Sequence, residues 1–167
     1  QFSSTFDYFV NTFSTANTPP TFTVYDRTGK EIRVIEDNKK LVNVQETFGT
    51  QKVNFSKIKN AAGDELNAWT IKPPNFDVSK KYPVLMYVYG GPGSQTVNNS
   101  YRYNNYWWFQ MLAQKGYIVV SVDNRGTGAR GEKFKKMTYQ QLGKYETEDQ
   151  IAAAKYLASQ PYVDGDR

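Results

Sequence analysis

The sequence predicts an α/β fold in which antiparallel strands lead into a parallel strand–helix–strand unit. Three observations carry this prediction. Turn residues break the first third of the chain into short aromatic and β-branched runs. Two continuous apolar runs, 84–89 and 117–122, flank a helical stretch, the pattern of strands covered on both faces and joined by a crossover helix. Near the end, an apolar stripe at helical spacing follows a capping pattern.

Taken in order, Phe6-Asp7-Tyr8-Phe9-Val10 and Thr21-Phe22-Thr23-Val24-Tyr25 read as strands separated by Asn17-Thr18-Pro19-Pro20. Asp26-Arg27-Thr28-Gly29 turns the chain into Glu31–Ile35, whose alternation predicts one buried face. Strands are expected over Gln51–Ile58 and Leu66–Ile71, with Asn60-Ala61-Ala62-Gly63-Asp64 supplying turn chemistry between them. A junction between two structural pieces is expected between Glu36 and Gln51, where the texture changes from β-only to βαβα. In the crossover helix, Trp108, Met111 and Leu112 are expected on the buried face, with Gly116 as C-cap. The last helix is expected to start at Thr147, capped with Gln150 three residues on, and to bury Ile151, Ala154, Leu157 and Ala158 before Pro161 stops it.

Composition narrows the chemistry. The chain has 167 residues, enough to hide roughly 70% of its unfolded surface. Its net charge of +5 is spread over separated pairs such as Lys39-Lys40, Lys80-Lys81 and Lys135-Lys136, so a solvated surface is expected and no nucleic-acid partner. It contains no Cys, which excludes disulfides, thiolate metal sites and a cysteine nucleophile. It contains no His, so a complete Ser-His-Asp triad is excluded within these residues. No metal and no cofactor are expected. No apolar run approaches the roughly 18–20 residues that span a bilayer, and Gln1–Val10 lacks the build of a signal peptide. The missing initiator Met points to a mature or excised fragment.

Three motifs point elsewhere and are set aside. Gly126-Thr127-Gly128-Ala129-Arg130-Gly131 matches G-x-G-x-x-G after a strand, but the charged 132–136 segment has no small-residue face to press on a sheet. A loop needing glycine flexibility is the better account. Ser56 and Lys59 match S-x-x-K, yet positions three apart on a strand point to opposite faces. Asn54-Phe55-Ser56 and Asn98-Asn99-Ser100 match the glycosylation tripeptide, which an Asn-rich chain produces by chance.

The informative segment is Tyr89-Gly90-Gly91-Pro92-Gly93-Ser94-Gln95, a glycine-rich loop leaving a buried strand. Such a loop either turns the chain from strand to helix or places donors against a substrate carbonyl, where charge develops in the transition state.

The run Leu85–Gln95 resembles the oxyanion loop of the dipeptidyl peptidase IV family in the prolyl oligopeptidase group of serine peptidases. Leu66–Pro74 and Asp77–Pro83 resemble the entry to that family's hydrolase domain, and Val122–Gly128 its next glycine loop. Leu142-Gly143 and Glu148–Ile151 resemble the approach to the helix before the nucleophile, and Arg33–Asn38 the exit from the β-propeller.

This resemblance implies the N-terminal half of an α/β-hydrolase domain, residues 43–167, preceded at 1–42 by terminal strands of the last β-propeller blade. It implies a serine exopeptidase that releases N-terminal dipeptides from peptides with Pro or Ala at the second position. It makes Tyr89 the oxyanion donor and Gly90, Gly91, Pro92, Gly93, Ser94 and Gln95 its loop. Asp123, Arg125, Gly126 and Gly128 are read as loop-shaping residues, and Glu148 and Asp149 as helix-cap residues. The family's G-x-S-x-G elbow, its Asp and its His are absent, and Asp164-Gly165-Asp166-Arg167 stands where the nucleophile strand would begin, so the fragment is expected to be inactive alone. The substrate-gripping acids of the propeller are also absent, and Gly93 stands where some members carry Cys. Alternatives are a tripeptidyl or acylaminoacyl peptidase of the same group, or a catalytically silent binding protein on the hydrolase scaffold. The resemblance alone favours a homodimeric parent and a bacterial periplasm or cell surface.

Overall fold

A computed structural model describes residues 1–101 and 105–166; Arg167, the last residue of the expected strand start, lies outside them. The chain divides into two compact units, Gln1–Thr50 with Asn99–Tyr106, and Gln51–Asn98 with Trp107–Arg167.

The first unit holds a three-stranded antiparallel sheet in the order β1 (Tyr8–Thr15), β2 (Thr18–Asp26), β3 (Glu31–Glu36). Thr18-Pro19-Pro20 belongs to β2 instead of separating two strands, and the hairpin turns at Ala16-Asn17. Proline lacks the ladder N–H, and the pairing slips between Phe13 and Thr15, opposite these prolines, which is where a strand tolerates them. Asp26 closes the next turn by accepting from the Thr28 and Lys30 amides at 2.9 and 3.0 Å. β3 buries no face, contrary to its alternating pattern: all six residues are exposed on this edge strand. Helix α1 (Lys39–Thr47) is an element the sequence pattern does not announce. Its N-cap, Asn38, sits at φ 53° and makes no side-chain cap bond, so the usual start signal is missing.

The second unit is built on a four-stranded mixed sheet in the order β4 (Val53–Lys59), β5 (Glu65–Ile71), β7 (Ile118–Val122), β6 (Val84–Met86). β4, β5 and β7 pair antiparallel, and β7 pairs parallel with β6. The crossover between those last two is helix α2 (Tyr106–Gln114), which gives the expected βαβ unit. Every residue of β7 is buried. Ile118, Val120 and Val122 join Ile58, Leu66, Ala68, Ala153 and Leu157 in one core beneath helix α4 (Lys144–Ala158). On the α2 side, Phe109 packs on Trp69 and Tyr87, each with ring centres 5.2 Å apart. Burying an apolar side chain of this size contributes about 1.5–3 kcal/mol.

Two expectations change here. β6 is a three-residue edge strand, half-buried, and not a six-residue strand covered on both faces. α2 turns Phe109 and Ala113 inward, while Trp108 and Met111 stay 44% and 43% exposed. A buried Gln110 shares that inward face, exchanging bonds of 2.6 and 2.8 Å with the Gln51 backbone. Gly116 does end the helix, at φ 89°, with its amide bonded to Ala113 O and the Tyr117 amide to Leu112 O.

α4 starts one turn before Thr147. Gly143 takes φ 85° and its amide donates to the Glu146 carboxylate at 3.0 Å. The buried face carries Asp149, Ala153 and Leu157, whereas Ile151, Ala154 and Ala158 are exposed.

Candidate active site

Two glycine-rich loops leave the adjacent parallel strands on the same side of the sheet, and hydrogen bonds join them. The Gly93 amide donates to Gly126 O at 2.9 Å, and the Gly128 amide to Ser94 O at 3.1 Å. At Gly128 a Cβ would lie 3.2 Å from the Gly93 carbonyl oxygen, so close backbone approach explains the second glycine of the G-x-G-x-x-G run. The first, Gly126, sits at φ 96° with space for a Cβ only 2.5 Å from Thr138 Cγ2. After this loop the chain enters only a five-residue exposed helix, α3 (Glu132–Lys136).

Tyr89 is 66% exposed at the head of the first loop. Its ring lies directly over Gly91, where a Cβ would come 2.7 Å from Tyr89 Cε1. Gly91 is therefore the floor of the ring. Tyr89, Gly90 and Gly91 form part of the wall of a groove of about 560 Å³, completed by apolar Met86 and Val88 and by Ile151 and Ala154 of α4. The face of α4 read from sequence as core thus lines this groove.

The loop is held at both ends by the exit of β7. Ser121 Oγ donates to Tyr87 O at 2.6 Å. Asn124 Nδ2 donates to Gly90 O at 3.2 Å. Buried Asp123 accepts from the Thr96 amide at 2.7 Å, Thr96 Oγ1 at 2.9 Å and the Val97 amide at 3.1 Å. Pro92, Ser94 and Gln95 complete the turn, with the Ser94 amide bonded to Gly91 O at 3.3 Å.

Arg125 points away from this loop. Its Nε donates to both oxygens of Asp149 at 3.0 Å, its Nη2 to Asp149 Oδ1 at 2.8 Å and to Glu148 at 3.1 Å. The Arg125 amide adds a bond of 2.7 Å to Asp149, and Asn60 Nδ2 a further one of 2.8 Å. The guanidinium stacks on the Tyr145 ring at 4.6 Å. The Asp149 hydrogen bonds, opposed by burial, hold Arg125 above its ordinary pKa, so the guanidinium stays charged. Asp149 is fully buried in the second turn of α4 and is a counter-ion, not a helix cap. Nothing local in the sequence marks a partner 24 residues away. The grip of Asn124 on the loop is likewise beyond sequence reasoning. Among the described residues no cluster of His, Cys, Asp or Glu is arranged for a metal ion.

A mixed sheet with a crossover helix, a glycine loop after its parallel edge strand and an exposed tyrosine on that loop define a hydrolase-type scaffold. The prolyl oligopeptidase family model matches residues 102–167. The chain is 49% identical over 138 residues to "Probable dipeptidyl-aminopeptidase B" of Arthroderma benhamiae, covering 81% of this chain and 15% of the relative. It is 41% identical over 152 residues to "Prolyl endopeptidase FAP" of Mus musculus, covering 89% of this chain and 19% of the relative. The crystal structure of Porphyromonas gingivalis dipeptidyl peptidase 4 superposes with a TM-score of 0.91 at 46% identity, covering 98% of this chain and 23% of that one. The chain belongs to the dipeptidyl peptidase IV family of the prolyl oligopeptidase group. It spans about 15% of the length of that curated relative.

Proposed function

We propose that the protein containing this chain is a serine exopeptidase that removes dipeptides from peptides with Pro or Ala in second position, and that Tyr89 donates to the oxyanion. The observation that carries this reading is the place of Tyr89 at the head of the glycine-rich loop after parallel strand β6, its ring seated on Gly91 and its backbone pinned at Gly90 O by Asn124. A phenol, with an ordinary pKa near 10, is a neutral donor at physiological pH. Held beside the scissile carbonyl, it would stabilise the negative charge that grows on oxygen as the nucleophile attacks. Preorganisation matters because a donor already in place costs no reorganisation at the moment of reaction.

The nucleophile, its base and the acid that orients the base lie outside these 167 residues, which contain no histidine. The chain alone is inactive on this reading. Residues 1–42 would close a β-propeller and residues 43–167 open the hydrolase domain. Asp123, Arg125, Gly126 and Gly128 shape the loop behind the site. The resemblance also supports a homodimeric parent outside the cytoplasm.

The test uses the full-length protein, a serine-directed fluorophosphonate label and a peptide panel read by mass spectrometry. Release of dipeptides from free N-termini with Pro or Ala second, and no cleavage of N-acetylated peptides, is the expected result. Tripeptide products, or cleavage of blocked peptides, would place it with other members of the group, an outcome that the 41% identity to a relative named as an endopeptidase gives reason to include. Neither labelling nor cleavage would mean a silent binding protein.

A further inference from the structure

We propose that Asp123 and Asn124 are positioning residues for Tyr89, acting through the two ends of the loop that carries it. The inference rests on the reading of Tyr89 as oxyanion donor.

Within this chain the Tyr89 ring rests on the backbone of its own loop, at Gly91, so its place follows from that backbone. That backbone is pinned on either side of Tyr89, at Tyr87 O by Ser121 and at Gly90 O by Asn124. Asn124 is itself immobilised. It is fully buried, its Nδ2 also donates to Arg125 O at 2.7 Å, and its Oδ1 accepts from Gln150 Nε2 at 3.0 Å. Gly90, at φ 72°, passes so close that a Cβ there would lie 3.1 Å from Asn124 Oδ1. The far end of the loop is closed by Asp123, whose two oxygens receive three donors from Thr96 and Val97. A buried carboxylate is tolerated only where donors converge on it, which makes this contact specific for acid over amide.

Each side chain therefore has a near-isosteric replacement that breaks its bonds without emptying space. Asp123→Asn must turn an NH2 group toward either the Thr96 donors or the Val97 amide. Asn124→Asp sets a carboxylate oxygen against the Gly90 and Arg125 carbonyls while keeping an acceptor for Gln150. Both should let the loop relax and carry the phenol off its target.

The experiment is a pair of double-mutant cycles in the full-length protein, each substitution made with Tyr89 intact and with Tyr89→Phe, read as kcat and KM on a free-amine Gly-Pro chromogenic substrate. With Tyr89 present, each should lower kcat about tenfold, since misplacing a catalytic group by about 1 Å can cost about a hundredfold. KM should move by less than about twofold. In the Tyr89→Phe background the same substitutions should change kcat by less than about twofold, the scatter expected where the coupled partner is already gone. Equal losses in both backgrounds, or an effect confined to KM, would overturn the proposal. A Tyr89→Phe enzyme with unchanged kcat would instead overturn the oxyanion reading and the inference with it. Should a variant fail to fold, Gln150→Met removes the bond that fixes the Asn124 amide, and the same dependence on the Tyr89 hydroxyl is expected; a loss independent of that hydroxyl would contradict it.

Discussion

The two glycine loops leave neighbouring parallel strands, yet they have opposite environments. The loop after β7 is interior: residues 123–127 are all buried, and its arginine is paired with a fully buried aspartate. The loop after β6 is surface: Val88 and Tyr89 are 47% and 66% exposed. Within this chain β7 lies between β5 and β6, and β6 is the last strand of the sheet. One loop is a platform and the other rides on it. Stability should therefore concentrate in the first and chemistry in the second.

Four substitutions sharpen that contrast, taken from the largest expected loss of stability to the smallest. Asp149→Ala removes the buried partner of Arg125 and leaves it the half-exposed Glu148 at 3.1 Å, and urea unfolding of the full-length protein should show a loss of about 3 kcal/mol, the lower end of the usual cost of breaking a buried pair from one side. Gly126→Ala forces a Cβ toward Thr138 at a positive φ, and should cost about 1–3 kcal/mol by the same assay. Gly91→Ala meets only the mobile end of the Tyr89 ring, so stability should fall by less than about 1 kcal/mol. Its kcat should nonetheless drop, because the ring must move. A Gly91 variant that loses much stability but no activity would erase the distinction between platform and surface. As a control, Lys57→Ala removes an exposed pair with Glu65 at 2.6 Å and should leave the urea midpoint unchanged within scatter.

Legibility in the sequence follows the same division. β7 is plain because six consecutive apolar or small residues admit little but a covered strand. β6 is overread from an equally apolar run, since composition does not say whether a strand has neighbours on both sides. α4 is legible in part: Leu157 of the apolar stripe is buried and Ile151 and Ala154 line the groove, while buried Asp149 is matched by Arg125 only in three dimensions. α1 escapes because Lys39–Thr47 is mostly polar and its N-cap uses no side chain. At the site, spacing alone marks a glycine loop, and the role given to Tyr89 comes from family resemblance. That Gly91 floors the ring, and that Asn124 grips Gly90, depends on distances no pattern encodes.

The central claim is that the Tyr89 hydroxyl stabilises the reacting oxygen. Tyr89→Phe in the full-length enzyme removes that hydroxyl and leaves the ring on Gly91. Loss of an oxyanion donor typically lowers kcat by about 10²–10³, and that fall with KM and unfolding midpoint unchanged is the predicted result. An undiminished kcat would contradict it.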